Sequence, residues 1–365
     1  MTTLPHKLTK HQLIRDFIHT RITEAYYLPG QRIPSETELC ERFQTTRATV
    51  GKALQELALA GLITRRRGSG SCVALPVTQT LHTFGLLIPN LGETEIFEPI
   101  CNALAVSVAE HNHRLFWGQF ATRNMEERSL AAERLCGQYI EQGVDGVFFA
   151  PIEQASAMDE TNARITQSLE LAGIPVVLFD CDFVKFPERS QFDVIGIDNR
   201  RAGYLLAQHL IAQGCRRIAF VCRLLSAQTI EARIAGYREA LLQHGLPVPA
   251  VWVHRGEPTD ADFIARLLAA EPPDAIICGN DYTAALLVDA LLRRGVRVPD
   301  DIRVTGVDDV KYAHLLAVPL TTIRQPCAAI GQAAVEAMLQ RIALPGRPGR
   351  EILLDADLVT RASTA

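Results

Sequence analysis

The sequence lacks the features that would assign it to a membrane, to secretion or to metal chemistry. No uninterrupted apolar run approaches the roughly 18 to 20 residues that a bilayer crossing needs. No charged segment followed by an apolar one stands at the N-terminus, so no secretory signal is visible. The nine cysteines are scattered, with no CxxC pair and no histidine at zinc-ligand spacing. We therefore expect a cytoplasmic protein with reduced thiols, no metal site, no cofactor and no membrane contact.

A catalytic nucleophile is also missing from the sequence. The run Asp180-Cys181-Asp182 places a thiol between two carboxylates, whose negative charges raise the pKa of a thiol and disfavour the reactive thiolate. No histidine stands at a recognisable partner spacing. The sequence thus predicts no catalytic residues.

The chain does have length and an uneven distribution of charge. Its 365 residues, 48% of them apolar, suggest two or three domains with a large buried core. Residues 1–75 carry 11 Lys and Arg against 6 Asp and Glu, whereas the remaining 290 residues carry 26 against 35. A small basic head on a larger acidic body is typical of a DNA-binding domain joined to a sensor. Chance fluctuation is the alternative, so the residues themselves must decide.

The head has the pattern of short helices joined by tight turns. An amphipathic first helix is predicted over residues 11–26. Ser35 and Glu38 then have the N-cap and N3 spacing of a capping box, which begins a second helix. Thr46 caps a third helix, which ends at Gly61. Two short helices joined in this way form a helix-turn-helix, whose second helix enters the major groove.

A β-hairpin wing is predicted to follow, because LITRRRGSGSCV reads as a strand, a glycine-rich turn and a second strand. Its three arginines can reach phosphates, while Gly68 and Gly70 let the backbone approach DNA. A phosphate-binding nucleotide loop is the alternative reading of GSGS. It is disfavoured because the Walker lysine and a following helix are absent.

The run PGQRIPSETELCERFQTTRATVGKALQELALAGLITRRRGSGSCV closely resembles the winged helix-turn-helix of the GntR family, over about residues 7–75. Arg47 is the strongest candidate for a DNA contact, because its guanidinium can pair bidentately with a guanine edge or a phosphate. Thr37 and Gly51 replace the long side chains that are usual at these positions, so no operator sequence is implied. A winged helix used for protein contacts is the alternative. The positions that the resemblance marks as DNA-contacting are Thr37, Thr46, Arg47, Thr49, Arg67 and Gly68.

From residue 83 onward, short apolar runs alternate with helical stretches, which indicates α/β architecture with doubly wound parallel sheets. Ligands bind beyond the carboxyl ends of such strands, and polar residues follow four of them. Each of these residues is also a plausible helix cap, but their repetition favours a shared pocket. The predicted strands are 84–89, 114–120, 145–151, 175–180, 194–198, 217–222, 275–280 and 303–309. The polar residues are Asp180 and Asp182, Asp198 and Asn199, Asn280 and Asp281 (interpreted as structural), and Asp308 and Asp309.

Nearly the whole body resembles the LacI/GalR effector-binding domain, through motifs that include VIGIDNRRAGYLLAQHLIAQGCRRIAFV, EARIAGYREAL and PLTTIRQP. The resemblance implies a fold like that of periplasmic sugar-binding proteins, with two α/β lobes joined by three crossings and a ligand in the cleft. The predicted domains are a winged helix-turn-helix at 1–75, a linker at 76–82 and an effector-binding domain at 83–365. Lobe one is expected at about 83–188 plus 321–365, and lobe two at about 191–320.

The resemblance also implies a set of effector contacts. Carboxylates, amides and a guanidinium can each hold two sugar hydroxyls, and an aromatic ring offers its face to the C–H side of a sugar. Cys327 and the first loop, GETEIF, depart from the family pattern, so no particular sugar is implied. Carried over by position, the contacts fall on Phe97, Asp180, Ile197, Arg233, Asn280, Asp308 and Gln325.

The pairing of a GntR-type head with a LacI-type body resembles the arabinose-repressor type of regulator. It implies a homodimeric transcription repressor that reads a pseudo-palindromic double-stranded DNA operator and responds to a small sugar effector, with a pentose as the first candidate. Release of DNA by the sugar is the commoner response in the family. The alternatives are a sugar-binding transport component, which the basic head and the missing signal disfavour, and an enzyme.

Overall fold

The protein forms two compact units, Met1–Thr80 and Leu81–Ala365. No helix among the described residues is both long enough and apolar enough to cross a bilayer. The computed structural model describes residues 9–24, 26–28, 30–66, 70–73, 80–89, 95–118, 125–152, 156–224, 226, 228–269 and 271–365.

The first unit contains the predicted helices and an antiparallel hairpin. Their apolar faces meet in one cluster, in which Ile14, Leu39 and Leu54 are fully buried or nearly so. The winged helix-turn-helix architecture is confirmed, with a first helix that ends earlier than predicted. The elements are α1 (Lys10–Thr23), α2 (Glu36–Phe43), α3 (Arg47–Leu59), β1 (Ile63–Arg66) and β2 (Gly70–Val73).

The second unit alternates strands and helices, and all eight predicted strands are present in it. Its strands and helices are β3 (Thr83–Leu87), α4 (Phe97–Glu110), β4 (Arg114–Trp117), α5 (Met125–Glu141), β5 (Gly146–Phe149), α6 (Ser156–Leu171), β6 (Val176–Phe179), β7 (Asp193–Ile197), α7 (Asn199–Ala212), β8 (Ile218–Cys222), α8 (Thr229–Gln243), β9 (Val253–Arg255), α9 (Ala261–Leu267), β10 (Ala275–Cys278), α10 (Asp281–Arg293), β11 (Arg303–Asp308), β12 (Thr321–Arg324), α11 (Cys327–Ala343), β13 (Glu351–Leu354) and β14 (Asp357–Val359).

These strands form two sheets of six strands each. Sheet one has the order β13-β7-β6-β5-β3-β4, and all its pairs are parallel. Sheet two has the order β14-β12-β11-β10-β8-β9 and is parallel except for β14. The doubly wound α/β architecture is therefore confirmed. We call the part of the chain built on sheet one lobe one, and the part built on sheet two lobe two.

The predicted division between the lobes is wrong at both of its boundaries. The prediction put β7 in lobe two, but this strand pairs with β6 and β13 in sheet one. It put the segment 321–365 in lobe one, but β12 and β14 belong to sheet two. The expected division came from the family resemblance and placed each crossing before β7 and before β12, whereas both strands pair with the strand that precedes them. The chain crosses between the lobes after β7, after β12 and after β13.

Candidate functional site

The start of α2 is held by the predicted capping box. The Ser35 backbone N–H and hydroxyl donate to Glu38 Oε2 at 2.7 and 2.8 Å, and the Glu38 N–H donates to Ser35 Oγ at 3.3 Å. The hydrogen bond from the Ser35 backbone, followed by that from its hydroxyl, lowers the pKa of Glu38. Thr37 lies exposed in the first turn of this helix.

Thr46 begins α3, the helix predicted to enter the major groove. Its Oγ1 accepts a hydrogen bond from the Thr49 N–H at 3.4 Å, and the two threonine hydroxyls lie 3.1 Å apart. Val50 and Leu54 are buried on the inner side of α3, whereas Thr46 and Arg47 are exposed and Thr49 is partly exposed. The exposed groups therefore surround a helix N-terminus, where the helix dipole and the free N–H groups favour a phosphate.

The wing is the hairpin of β1 and β2, and one of its arginines is engaged inside the unit. Arg65 Nη2 lies 2.6 Å from Glu36 Oε1 of α2. Both side chains of this pair are partly exposed, so Arg65 binds Glu36 at the surface of the unit, and its contact with phosphate stays a prediction. Arg67 and Gly68, two of the predicted DNA contacts, lie outside the described residues.

The predicted effector residues lie at the carboxyl ends of the two sheets and on the helices beside them. Hydrogen bonds and electrostatic interactions join Asp180, Arg233, Asp308 and Gln325 into one polar cluster. In chain order, Phe97 begins α4, Asp180 follows β6, Ile197 ends β7, Arg233 lies in α8, Asn280 follows β10, Asp308 ends β11 and Gln325 follows β12.

Arg233 is the cation of this cluster and is only 4% exposed. Its Nε donates to Asn199 Oδ1 at 2.8 Å, and its Nη1 donates to the Gly279 carbonyl at 2.6 Å. The helix that carries it crosses α7 so closely that a Cβ on Gly236 would lie 1.7 Å from the Arg200 carbonyl oxygen. Glycine at this crossing allows the two backbones to touch and fixes the position of the guanidinium.

Asp180 and Asp308 are acidic groups in surroundings that disfavour their charge. Burial raises the pKa of both carboxyl groups, and Arg233 opposes the rise without cancelling it. The pKa of Asp308 rises to about 6; the 2.8 Å hydrogen bond from Gln325 Nε2 also opposes this rise, and Asp180 and Glu95 add to it. Both residues have positive φ angles, 68° for Asp180 and 122° for Asp308. Backbone strain combined with perturbed carboxyl groups is characteristic of a ligand site.

The next residue along the chain, Asp309, has the opposite surroundings. Its carboxylate accepts hydrogen bonds from Arg361 Nη2 and Arg324 Nε, each at 2.6 Å. Burial opposes its ionisation, but the two guanidinium groups outweigh burial and lower the pKa of Asp309. Asp281 is fully buried and accepts a hydrogen bond from the Thr322 hydroxyl at 2.6 Å, which confirms the predicted structural role.

Three predicted effector residues take part in local structure. Asn280 is the N-cap of α10, and its Oδ1 accepts hydrogen bonds from the Thr283 N–H at 3.0 Å and the Thr283 hydroxyl at 2.7 Å. Phe97 and Ile197 are buried in an apolar cluster that includes residues of both lobes. The contacts of these three residues are thus helix capping and apolar packing, in contrast to the charged groups of the polar cluster.

Two residues of the polar cluster stand outside the predicted set of effector contacts, although Asn199 was among the polar residues expected near the pocket. Asn199 orients Arg233, and the available signal was its position directly after Asp198, whose side chain caps α7 and leaves the next residue free to face inward. Glu95 contributes to the raised pKa of Asp308. No sequence pattern singles out Glu95, because it lies in a loop without periodicity.

Hydrogen bonding and charge are the chemistry that this cluster offers. Within the described part of the chain, no three His, Cys, Asp or Glu side chains are arranged to hold a metal ion. Burial, aided by Asp308, raises the pKa of Cys327 to about 11, which keeps this thiol protonated. An arrangement of this kind suits recognition of a small polar molecule.

Comparison with known proteins agrees with both parts of this description. Residues 10–73 match the model of bacterial regulatory proteins of the gntR family, and residues 207–364 match the periplasmic binding protein-like domain. The chain is 30% identical over 346 residues to the arabinose metabolism transcriptional repressor of Geobacillus stearothermophilus, with 92% of each chain covered. It is 33% identical over 288 residues to the HTH-type transcriptional repressor PurR of Mannheimia succiniciproducens, covering 78% of this chain and 81% of that one.

Solved structures show the same fold. The transcriptional regulator CelR in complex with cellobiose is 25% identical with a TM-score of 0.65, over 87% of this chain and 90% of that one. The transcription regulator CcpA of Lactococcus lactis is 21% identical with a TM-score of 0.65, over 78% of this chain and 100% of that one, and shows the fold alone. These relatives are named as transcriptional repressors and regulators, not as enzymes. The chain belongs to the family of transcriptional repressors that join a gntR-type DNA-binding domain to a periplasmic binding protein-like domain for a small-molecule effector.

Proposed function

We propose that this protein is a homodimeric repressor that leaves a pseudo-palindromic operator when a neutral sugar binds between its two lobes. The observation that carries the proposal is the buried guanidinium of Arg233, which faces the carboxyl groups of Asp180 and Asp308. A ligand in the cleft favours one arrangement of the lobes, and it shifts the equilibrium by its difference in affinity for the two arrangements. The cytoplasm is the place of action that we propose.

The charges of the cluster support a neutral effector. Asp308 interacts electrostatically with Arg233 and also with Asp180 and Glu95, so carboxyl groups outnumber the guanidinium. An excess of negative charge repels a phosphate, whereas carboxyl and amide oxygens accept hydrogen bonds from sugar hydroxyls. Two relatives are named as arabinose metabolism repressors, which makes L-arabinose the first pentose to test.

The proposed effector contacts are unequal in kind. The polar groups would bind hydroxyls, whereas Phe97 and Ile197 would shape the apolar wall of the pocket. Asn280 uses its Oδ1 to cap α10, which leaves its amide nitrogen as the group for a ligand. The full proposed set is Phe97, Asp180, Ile197, Arg233, Asn280, Asp308 and Gln325.

We propose that the N-terminus of α3 reads the operator. Arg47, the first residue of this helix, is exposed and has the donors to bind a guanine edge or a phosphate. Thr37, Thr46 and Thr49 supply hydroxyls around it, which suit phosphate contacts. Arg67 and Gly68 complete the proposed set at the wing tip.

A homodimer is proposed because two heads related by a twofold axis read two half-sites. The edge of sheet one offers a surface for a second copy. Phe116 and Trp117 of the edge strand β4 are 40% and 44% exposed, which is unfavourable for aromatic side chains left in water.

A thermal-shift series with L-arabinose, D-ribose, D-xylose and ribose 5-phosphate tests the effector. A neutral pentose at about 100 times its Kd should stabilise the wild type by about 2.7 kcal/mol, seen as a higher Tm. Arg233→Ala should abolish the shift. Arg200→Ala is the matched control, since Arg200 lies exposed on α7 in an ion pair with Glu239 at 2.8 Å. A shift with the phosphate alone, or an unchanged shift in Arg233→Ala, would contradict the proposal.

Fluorescence anisotropy tests the division of labour, with operator DNA selected from a randomised duplex library by the wild-type protein. Arg47→Ala should weaken operator binding by about 1–3 kcal/mol and leave the sugar-induced Tm shift intact. Arg42→Ala is the control, because Arg42 stacks on the Phe17 ring at 4.3 Å. Loss of the sugar response together with DNA binding in Arg47→Ala would show that the two tasks are not separate.

A further inference from the structure

A hydrogen bond between Glu95 and Tyr312 joins the two lobes. Glu95 belongs to lobe one and lies two positions before the start of α4. Tyr312 belongs to lobe two and lies in the turn after β11. The Tyr312 hydroxyl donates to Glu95 Oε2 at 2.5 Å. Lys311, the residue before Tyr312, makes a second contact between the lobes, with its Nζ 3.9 Å from Glu98 Oε2.

The lobe-two partner is held firmly in its own lobe. The turn that carries it begins with the positive φ angles of Asp308 and Asp309, 122° and 51°. The Val310 N–H donates to the buried Asp281 Oδ2 at 3.1 Å, which ties the turn to α10. The Tyr312 ring packs against the apolar cluster of lobe two. The position of its hydroxyl is therefore set by lobe two and not by Glu95.

The same turn also presents the effector-binding carboxyl group. Asp308 at the start of the turn and Tyr312 at its end are only four residues apart, and Glu95 acts electrostatically on Asp308. A ligand that moves or orders Asp308 therefore acts on the segment that carries the Tyr312 hydroxyl. The contact between the lobes and the effector site share one structural element.

The two contacts between these segments differ in strength. A hydroxyl that donates to a carboxylate forms a charge-assisted hydrogen bond, which is stronger than one between neutral groups. Lys311 and Glu98 are 91% and 66% exposed, and their separation is long, so solvent screens this ion pair almost completely. Of these two contacts, the hydrogen bond is therefore the stronger link between the lobes.

We propose that the hydrogen bond between Glu95 and Tyr312 is the closing contact of the cleft. It holds lobe one against lobe two and thereby sets the fraction of molecules in the closed arrangement. The consequence for effector affinity rests on the proposed function of the cleft, because the apparent Kd of a ligand varies inversely with the fraction of the binding-competent state.

Hydrogen exchange of the full-length, ligand-free protein tests the closing contact directly. In Tyr312→Phe, the amides of residues 100–104 and 310–316 should exchange about tenfold faster than in the wild type. Tyr204→Phe is the matched control, because the Tyr204 hydroxyl donates to Gln243 Oε1 at 2.7 Å within lobe two. Equal exchange rates of these amides in the wild type and in Tyr312→Phe would overturn the proposal. The same acceleration in Tyr312→Phe and in the control Tyr204→Phe would overturn it as well.

Titration calorimetry with L-arabinose tests the coupling to the effector. Tyr312→Phe and Glu95→Gln should each weaken binding by up to about tenfold, and the double variant should be no weaker than the worse single variant. Unchanged affinity in both single variants would overturn the coupling. If L-arabinose does not bind the wild type, the proposed effector fails, while the ligand-free exchange comparison still decides on the closing contact.

Discussion

Carboxyl groups at the two ends of the sheets have opposite surroundings. At the amino end of β7, Asp193 is fully buried and accepts hydrogen bonds from Arg350 Nη2 at 3.0 Å and Arg341 at 2.9 Å. Burial opposes its ionisation, but Arg350 and Arg341 outweigh burial and lower the pKa of Asp193. At the carboxyl ends, burial raises the pKa of both Asp180 and Asp308 despite the guanidinium between them.

The difference distinguishes carboxylates that stabilise the fold from carboxyl groups that are available to bind a ligand. A carboxylate with two arginines is compensated within the chain. Two carboxyl groups around one arginine leave charge and hydrogen-bonding capacity that another molecule can satisfy. The location of uncompensated carboxyl groups therefore marks the binding end of the sheets.

Asp193→Asn should give the largest effect on stability. It removes the charge that compensates Arg341 and Arg350, and loss of one partner from a buried ionic cluster costs about 3–5 kcal/mol. Because the folded pKa of Asp193 is depressed below the unfolded 3.8, its stabilisation is present above that pH and is lost as the pH falls through the folded pKa. Urea unfolding at pH 7.5 measures the effect. A decrease in the free energy of unfolding of less than about 1 kcal/mol would contradict the difference between the amino and carboxyl ends of the sheets.

Asp308→Asn should change the stability in the opposite direction from Asp193→Asn and by a smaller amount. The pKa of Asp308 is raised from 3.8 to about 6, so ionisation destabilises the fold, increasingly between these pH values and fully above pH 6. Removing the charge should stabilise the protein by about 1–3 kcal/mol at pH 7.5, and by progressively less toward pH 4. Asparagine keeps an oxygen for the Gln325 amide, but the effector response should be lost.

Thermal unfolding at pH 7.5 and pH 4 measures this change, with Asp309→Asn as the adjacent control. The control should destabilise the protein at pH 7.5, because Arg324 and Arg361 lose their common partner. Two variants with shifts of the same sign would contradict the distinction between these neighbouring aspartates.

Asp355→Asn should have the smallest effect and provides the exposed reference. Asp355 pairs with Arg201 where the chain crosses between the lobes, and the side chains are 86% and 47% exposed. Exposed ion pairs contribute about 0–1 kcal/mol. Urea unfolding in 0.05 and 0.5 M salt should give nearly the same stability for this variant and the wild type. A loss as large as that of Asp193→Asn would show that burial is not what distinguishes the sites.

Much of the fold could be predicted from the sequence, because strands and helix caps leave local sequence patterns. Ser35 and Glu38 predicted the start of α2, and eight apolar runs predicted eight strands. The assignment of β7 and β12 to lobes failed, because each of these strands pairs with the strand before it in the chain and the crossing to the other lobe follows it. The chain passes between the lobes in loops that resemble every other strand–helix connection.

The site was predictable to the extent that family motifs marked its residues. Arg233 and Asp308 could be carried over by position, but the balance of charge around them depends on burial, which only the folded chain shows. The contact of Glu95 with Tyr312 joins residues 217 positions apart. No periodicity or cap encodes a pairing over that distance, so only the structure could reveal it.

The crossing of α7 and α8 has a consequence for how such a pocket can change. A Cβ on Gly203 would lie 2.0 Å from the Arg233 carbonyl oxygen, and one on Gly236 would lie 1.7 Å from that of Arg200. Where two main chains touch, substitutions cannot adjust the spacing in small steps. The position of the Arg233 guanidinium is therefore fixed by the backbone contact. Residues of the pocket wall such as Cys327 can be substituted without moving the two helices. We therefore expect effector preference to change through substitution of the side chains that surround Arg233, while Arg233 itself keeps its position.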